Sequence, residues 1–398
     1  MSHELRKQLD RLRARLGSGP LYRYLRKIPA ARQRAKFRDL VARANALPLD
    51  LDLDGWLRKQ LAERAPLRKA LPSRLADATI VGVGARGWER RGLWPSLARL
   101  SDFHLFSDGL ADDVAYHCNS AAERDGRNLR LLDFVADIER TRPVHIVFIY
   151  AHSRNLSPSL MQQLHDRGCW TVLMGLDDKH TFLRERVGDL DVGVETIAPS
   201  VDLYWTTWRT GRLVHYTIGS RAWLGGFGAD PAFYHPFPVE KDIDVLFLGA
   251  AYGVRREIID AIRSCGVRIE SGGFGWESGF VSFDTIVRHF SRARVVLGVS
   301  NVGSMDDVTI IKGRDFEVPM CGACYLTQYV DELTDFFAIG RDILCYQTAS
   351  QAADTLASLL RDEPRRRELA KNALQRSLDH NTWEHRIKAM YAVLTRGS

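Results

Sequence analysis

The chain has 398 residues, 45% of them hydrophobic and 26% charged, with a formal net charge of +7. That composition can bury the cores of two ordinary domains and excludes a low-complexity or disordered chain. No apolar run reaches the ~18 residues needed to span a bilayer, and the N-terminus leads into charge rather than a hydrophobic signal segment, so a cytoplasmic protein is expected.

The charge is unevenly spread. Residues 1–75 carry 19 Lys and Arg against 7 Asp and Glu, net +12, which leaves 37 against 42, net −5, for the rest. Leu5, Leu9, Leu12 and Leu16, then Leu21, Leu25 and Ile28, then Phe37, Leu40 and Val41 recur at helical spacing, so 1–75 reads as a basic helical extension. Such helices can rest on an anionic membrane face or another polyanion, or pack on the body with the Arg face in water; no specific nucleic acid is expected. Asp50-Leu51-Asp52-Leu53-Asp54 imitates a metal-holding carboxylate motif, but it precedes any core strand, and Asp54 is expected to cap a helix starting near Gly55-Trp56.

The first core strand is Thr79 to Val83. It runs into Gly82-Val83-Gly84-Ala85-Arg86-Gly87, a formal Gly-x-Gly-x-x-Gly with Asp108 about twenty residues on, which is the dinucleotide fingerprint. Trp88 to Gly92 delays the next helix to near Pro95, so Gly84 and Arg86 are placed instead on a cleft-rim loop. Strands near Phe103–Phe106, Val144–Tyr150 and Trp170–Met174 alternate with helices at 129–139 and 158–166, the pattern of a doubly wound parallel sheet. Ligands gather at the carboxyl ends of such strands, where Asp177, Asp178 and His180 follow the third of these and His152 the second. Either aspartate can serve as a base or orienting group, or cap a helix.

A short strand Leu203–Thr206 precedes a Gly- and Pro-rich stretch over 225–242, which reads as a linker. The strand–helix series then restarts with 243–248, helix 254–264, strand 267–270, a glycine-rich loop 272–279, helix 283–292 and strand 295–299. Next comes Ile311-Lys312-Gly313-Arg314-Asp315-Phe316-Glu317-Val318-Pro319-Met320-Cys321-Gly322-Ala323-Cys324-Tyr325-Leu326. Arg314 and Glu317, three apart, share a face of a helical turn. A guanidinium at a helix start suits a phosphate, and a carboxylate one turn on suits sugar hydroxyls; a surface ion pair accounts equally for the spacing. Cys321 and Cys324 form a Cys-x-x-Cys with no second ligand pair nearby, so they and the other four cysteines (118, 169, 265 and 345) are expected to be reduced packing thiols. In the tail, Ser350 is expected to cap helix 351–361, Pro364 to open the next helix and Thr382 to cap the last.

Arg-x-Phe-Glu followed by Cys-Gly-Ala and a strand resembles the donor segment of the CgeB-like (spore maturation protein-like) glycosyltransferases, relatives of glycosyltransferase group 1. The resemblance runs from about residue 78 to 395, through Phe247 to Arg255, Gly225 to Pro231, Phe336-Phe337, Gly340 to Ile343 and Asp379 to Arg386. It implies a GT-B fold: an acceptor lobe at 76–224, a linker at 225–242, a nucleotide-sugar lobe at 243–382 and a terminal helix, 383–398, returning to the first lobe. It further implies a hexosyltransferase-type reaction from a nucleotide-sugar donor to a glycan, lipid or protein, with no metal and no cofactor beyond the donor. Arg314 would take the diphosphate, Glu317 the hydroxyls, and Gly249 with Arg255 the phosphate-facing first loop, alongside Lys312 and Gly322; Asp178 or Asp177 would be the base, with His152 and His180 as alternatives. Two rivals stand beside this reading. One is a nicotinamide-dependent oxidoreductase built on Gly82-Gly84-Gly87; the other is a non-catalytic protein that binds a polyanion or the inner face of a membrane through residues 1–75.

Overall fold

The computed structural model describes residues 32, 35–36, 38–48, 51–85, 87–108, 117–302 and 308–397. The leucine-periodic segments before residue 32, Asp50 and Arg86 therefore lie outside the described residues. The chain divides into two compact units, one of residues 39–230 with 381–397, the other of residues 231–380.

The first unit is organised on six parallel strands: β1 (Thr79–Gly84), β2 (Asp102–Phe106), β3 (Ile146–Tyr150), β4 (Trp170–Met174), β7 (Leu203–Thr206) and β8 (Ala222–Leu224), in the order β2-β1-β3-β4-β7-β8. β5 (Glu185–Val187) and β6 (Leu190–Val192) form a separate antiparallel hairpin. β1 and β4 are buried along their whole length, as expected of strands covered on both faces by helices. Phe148 on β3 and Trp205 on β7 meet edge to face at 5.9 Å, and Trp94 packs on Phe148 at 6.2 Å. Truncating such a ring to Ala would cost about 3–5 kcal/mol.

The expected boundary at residue 75 does not hold physically, because residues 51–75 are built into this unit. Helix α1 (Leu53–Arg64) is capped by Asp52, whose carboxylate accepts from the Gly55 amide at 2.7 Å. Asp54, the expected cap, pairs with Arg212 instead. Behind α1, Arg68 donates to the fully buried Asp202 at 2.9 and 3.1 Å, with Arg64 at 3.4 Å and His165 at 3.2 Å. Burial opposes the charge of Asp202, but His165 and Arg68 hold its carboxyl well below the usual range. The terminal helix belongs to the same unit. Thr382 bridges to Ala229, accepts from the His385 amide at 3.1 Å, and sets Trp383 stacked on Trp88 with centroids 5.7 Å apart.

The second unit carries a five-stranded parallel sheet: β9 (Ile243–Leu248), β10 (Ile269–Gly272), β11 (Ala293–Leu297), β12 (Cys324–Gln328) and β13 (Leu344–Tyr346), in the order β10-β9-β11-β12-β13. In both sheets the order reverses beside the first strand, between β1 and β3 and between β9 and β11. That reversal is where a doubly wound sheet opens a ligand crevice at its carboxyl edge. The helix 349–361 starts two residues earlier than expected, because Thr348 and Gln351 form a reciprocal capping box and displace Ser350 from the role. The next helix runs Glu363–His380, with Pro364 in its first turn.

Candidate active site

In the second unit the site grows from the end of β9. Gly249 donates its amide to Gly272 O at 2.9 Å, and its own carbonyl accepts the Trp276 indole at 2.7 Å. The helix 255–264 then starts with Arg255, which is buried rather than facing solvent. Its guanidinium turns back onto its own loop, donating to Ala250 O at 3.2 Å and lying 4.1 Å from the Tyr252 ring centre. A side chain on Gly249 would reach Arg255 Nη1 at 3.3 Å, so the glycine and the arginine share one corner.

The short helix 314–320 presents the sequence-predicted pair at the same corner. Arg314 Nε donates to Leu248 O, the last carbonyl of β9, at 3.3 Å, while Nη1 pairs with Glu317. The Arg314 side chain keeps 28% of its surface exposed, and its Nη2 has no partner among the described residues. Burial works against its charge, yet the Glu317 carboxylate and then Tyr234 hold the guanidinium above its ordinary value. Glu317, 6% exposed, accepts from the Tyr234 hydroxyl at 2.9 Å through its other oxygen. A carboxylate has about four lone-pair sites, so two protein donors leave acceptor capacity over. The pair is partly buried and fixed at both ends, unlike a surface ion pair.

Two groups that sequence reasoning passed over hold this turn in place. Asp315, 1% exposed, accepts from the Lys312 amide at 2.7 Å, the Tyr325 hydroxyl at 2.8 Å and the Thr327 hydroxyl at 3.1 Å. Burial pushes its carboxyl up to about 6 despite these three donors. Lys312 thus enters the site through its backbone, as the first link of a turn tied to β12. Tyr234 is the second missed group; burial and then Glu317 raise its phenol well above the usual range. Asp315 was legible in principle, since it stands inside the Arg-x-Phe-Glu motif, whereas nothing in the sequence around Tyr234 singles it out. Gly322 has a different place from the one expected of a ligand contact. It ends the helix with φ +65°, its amide on Pro319 O at 3.0 Å, and a side chain there would strike Pro236 Cγ at 3.0 Å. Cys321 and Cys324 are buried free thiols, both raised by burial, Cys324 to about 12.

The first-unit candidates sit at the carboxyl ends of their strands but differ in character. Asp178 is 2% exposed and takes the Tyr204 hydroxyl at 2.7 Å and the Thr206 hydroxyl at 2.6 Å, with His215 Nε2 3.5 Å away. Gly175 lacks a side chain because one there would overlap Tyr204 and Asp178. Asp177 is exposed at the end of the same turn, and His180 lies on the short helix 178–181 that follows. His152 caps a short turn, its Nδ1 accepting from the Arg154 amide at 3.1 Å, and its ring meets His117 edge to face at 4.7 Å. Gly82 and Gly84 give their space to aromatic rings. A side chain on Gly82 would strike Phe103 at 2.5 Å, and one on Gly84 would strike Tyr150 O at 2.7 Å and Trp94 at 2.9 Å. The glycines therefore serve strand packing, and Asp108, which would hold a ribose in the oxidoreductase reading, is gripped by Arg130 at 2.7 and 2.8 Å.

Among the described residues, no group of three or more His, Cys, Asp or Glu is arranged to hold a metal, and no helix is long and apolar enough to cross a membrane.

Residues 255–392, which contain the Arg314–Glu317 turn, match the family described as Glycosyl transferase-like. No curated protein sequence matches the chain. Solved structures do. Sucrose-phosphate synthase from Thermosynechococcus elongatus superposes with a TM-score of 0.56 at 13% identity, covering 81% of this chain and all of that one. The Anabaena protein HepE in complex with UDP-glucose gives 0.55 at 13% identity, covering 80% and 99%. A Listeria monocytogenes protein assigned as a UDP-N-acetylglucosamine 2-epimerase gives 0.50 at 11% identity, covering 80% and 95%. At these identities the likeness fixes the fold: two Rossmann-like parallel-sheet lobes of the GT-B class, and the stretch matched by the glycosyltransferase family covers the second lobe from the helix after β9 onward.

Proposed function

We propose that this protein is a glycosyltransferase that moves a sugar from a nucleotide-sugar donor to an acceptor. The observation that carries the reading is the Arg314–Glu317 pair, fixed against the last carbonyl of β9 inside the segment that matches the glycosyltransferase family. The open Nη2 edge of Arg314 suits a diphosphate oxygen, and the spare acceptor sites of Glu317 suit a pair of sugar or ribose hydroxyls. The missing side chain at Gly249 lets the donor approach the corner closely. Arg314, with the Arg255 guanidinium at the same corner, supplies positive charge where the leaving diphosphate becomes more negative, so catalysis is mainly electrostatic and needs no metal or further cofactor. The likeness to a structure holding UDP-glucose supports a UDP-linked donor. Asp177, exposed, is the candidate acceptor base; Asp178, with both oxygens taken by hydroxyls, orients the turn that carries it. The basic stretch within residues 1–75 suits contact with an anionic membrane face, which would bring a lipid or envelope acceptor within reach.

The fold alone also accommodates an epimerase-like relative, so the test must separate transfer from isomerisation. The full chain is incubated with UDP-, GDP- and ADP-sugars, with and without a membrane and glycan extract. Nucleoside diphosphate release that depends on the extract, and is lost in Arg314→Ala, is the expected result. Isomerised donor without such release overturns the reading.

A further inference from the structure

Resting on the donor site just described, the loops after β9 and β10 carry a feature that the phosphate corner leaves unexplained. Phe274 exposes 56% of its surface, a large apolar ring placed in water. It is not a loose loop tip. Its carbonyl accepts the Ala251 amide at 2.8 Å, so it is tied to the residue two after Gly249. Gly273 and Gly275 flank it with φ of +128° and +85°, conformations that residues with side chains rarely adopt. A side chain on Gly273 would strike Gly249 O at 2.5 Å, and one on Gly275 would press on Ala251 Cβ at 3.3 Å. Trp276, buried one residue further, pins the same loop to Gly249 through its indole. The backbone is thus drawn tightly onto the phosphate corner with the Phe274 ring left outside.

The other aromatic rings of these two loops each have a cation or a ring beside them, although Phe280, which is not tied to the Gly249 loop, is itself 67% exposed. Arg255 lies over Tyr252 at 4.1 Å, Arg256 over Trp276 at 4.8 Å, and Phe280 meets Phe283 at 6.1 Å. Phe274 meets no other ring and no cation among the described residues. We infer that Phe274 is the platform on which the nucleobase of the donor stacks. A base attached through its ribose to a diphosphate at Arg314 needs a planar apolar surface within one loop's reach, and this ring is held there by its neighbours. Every base has a π-face, so stacking of this kind binds without selecting strongly among bases. The chemical class assigned to the platform is therefore the purine or pyrimidine ring of a nucleoside diphosphate, with discrimination among bases left to other groups.

The test compares nucleoside diphosphates with inorganic pyrophosphate, which has the charge and no base. Calorimetric affinities of the full chain for UDP, GDP, ADP and pyrophosphate are measured in wild type, Phe274→Ala and Phe274→Trp. Phe274→Ala should weaken the best nucleoside diphosphate by about 5- to 150-fold, the range of a base–aromatic stack. Phe274→Trp should restore it, and pyrophosphate affinity should stay within twofold throughout. Nucleotide affinity unchanged in Phe274→Ala overturns the assignment while leaving the phosphate corner standing. An equal loss for nucleotide and pyrophosphate also overturns it, since Phe274 would then act only through its loop. A wild type that binds none of the four probes removes the donor-site reading itself and the platform with it.

Discussion

Asp315 makes the turn beneath Arg314 and Glu317 sensitive to pH. Burial raises its carboxyl from an ordinary 3.8 to about 6 against the pull of the Lys312 amide and the Tyr325 and Thr327 hydroxyls. The titratable groups around it are Tyr325 on β12, Cys345 and Tyr346 on β13, and Lys312, Arg314 and Glu317 on its own turn. The folded protein holds this proton more tightly than the unfolded chain does. Its contribution to stability is therefore full below the unfolded value and is lost as pH rises through about 6. Between about pH 8 and about pH 5 the change is on the order of 1 kcal/mol. Asp315→Asn cannot ionise, and its amide leaves one of the three donors without an acceptor, a loss of about 1–3 kcal/mol at either pH. The stability gap between wild type and Asp315→Asn should accordingly widen by about 1 kcal/mol on going from pH 8 to pH 5. Urea unfolding of both proteins at both pH values measures it, because taking the difference of differences cancels the remote titrating groups. A gap that stays constant or narrows at low pH refutes the reasoning.

Three further outcomes follow from the geometry. Tyr234→Phe removes one hydroxyl donor from Glu317 and should change nucleoside diphosphate affinity by about 2- to 12-fold, the equivalent of one hydrogen bond, read by calorimetry. Asp178→Asn should lower the melting temperature because it disturbs the Tyr204 and Thr206 bonds, whereas Asp177→Asn should leave melting unchanged and reduce kcat; the reverse pattern assigns the base to Asp178. Adding a chelator to the transfer reaction should leave the rate unaltered, and a rate restored only by a divalent ion would place a metal in the mechanism.

The parallel sheets were legible because most of their strands are short runs dominated by apolar and β-branched residues. Trp170–Met174, Leu203–Thr206 and Ile243–Leu248 fall at their expected bounds, as do the helices 158–166 and 283–292. The strands expected at 267–270 and 295–299 lie two residues away, at Ile269–Gly272 and Ala293–Leu297, and further errors gathered at helix ends, where several polar residues compete for one cap. Asp52 rather than Asp54, and Thr348 rather than Ser350, won because their side chains reach the amide three residues on. The helix expected from residue 129 begins at Ala121, since Ser120 caps it and the polar turn 121–128 carries no apolar periodicity to announce a helix. Local spacing brought out Arg314 and Glu317, which lie one helical turn apart. It could not reveal Tyr234, which is 83 positions from Glu317 and joins it only through tertiary packing. The same limit applies to the glycines at 82 and 84: the sequence pattern of a phosphate loop and that of two residues yielding space to Phe103 and Trp94 are identical until the rings are placed.

The central claim is that Arg314 and Glu317 hold the donor, and calorimetric affinity for a nucleoside diphosphate tests it most directly. Each residue would make charge-assisted hydrogen bonds worth about 1.5–3 kcal/mol, so Arg314→Ala and Glu317→Ala should each weaken binding by roughly 10- to 150-fold. Arg314→Lys should also bind less well, because an ammonium cannot reproduce the guanidinium fork that reaches Leu248 O and Glu317 together, while Glu317→Gln should cost less than Glu317→Ala. Melting curves establish that each variant is folded. Wild-type affinity in a folded Arg314→Ala protein would contradict the account.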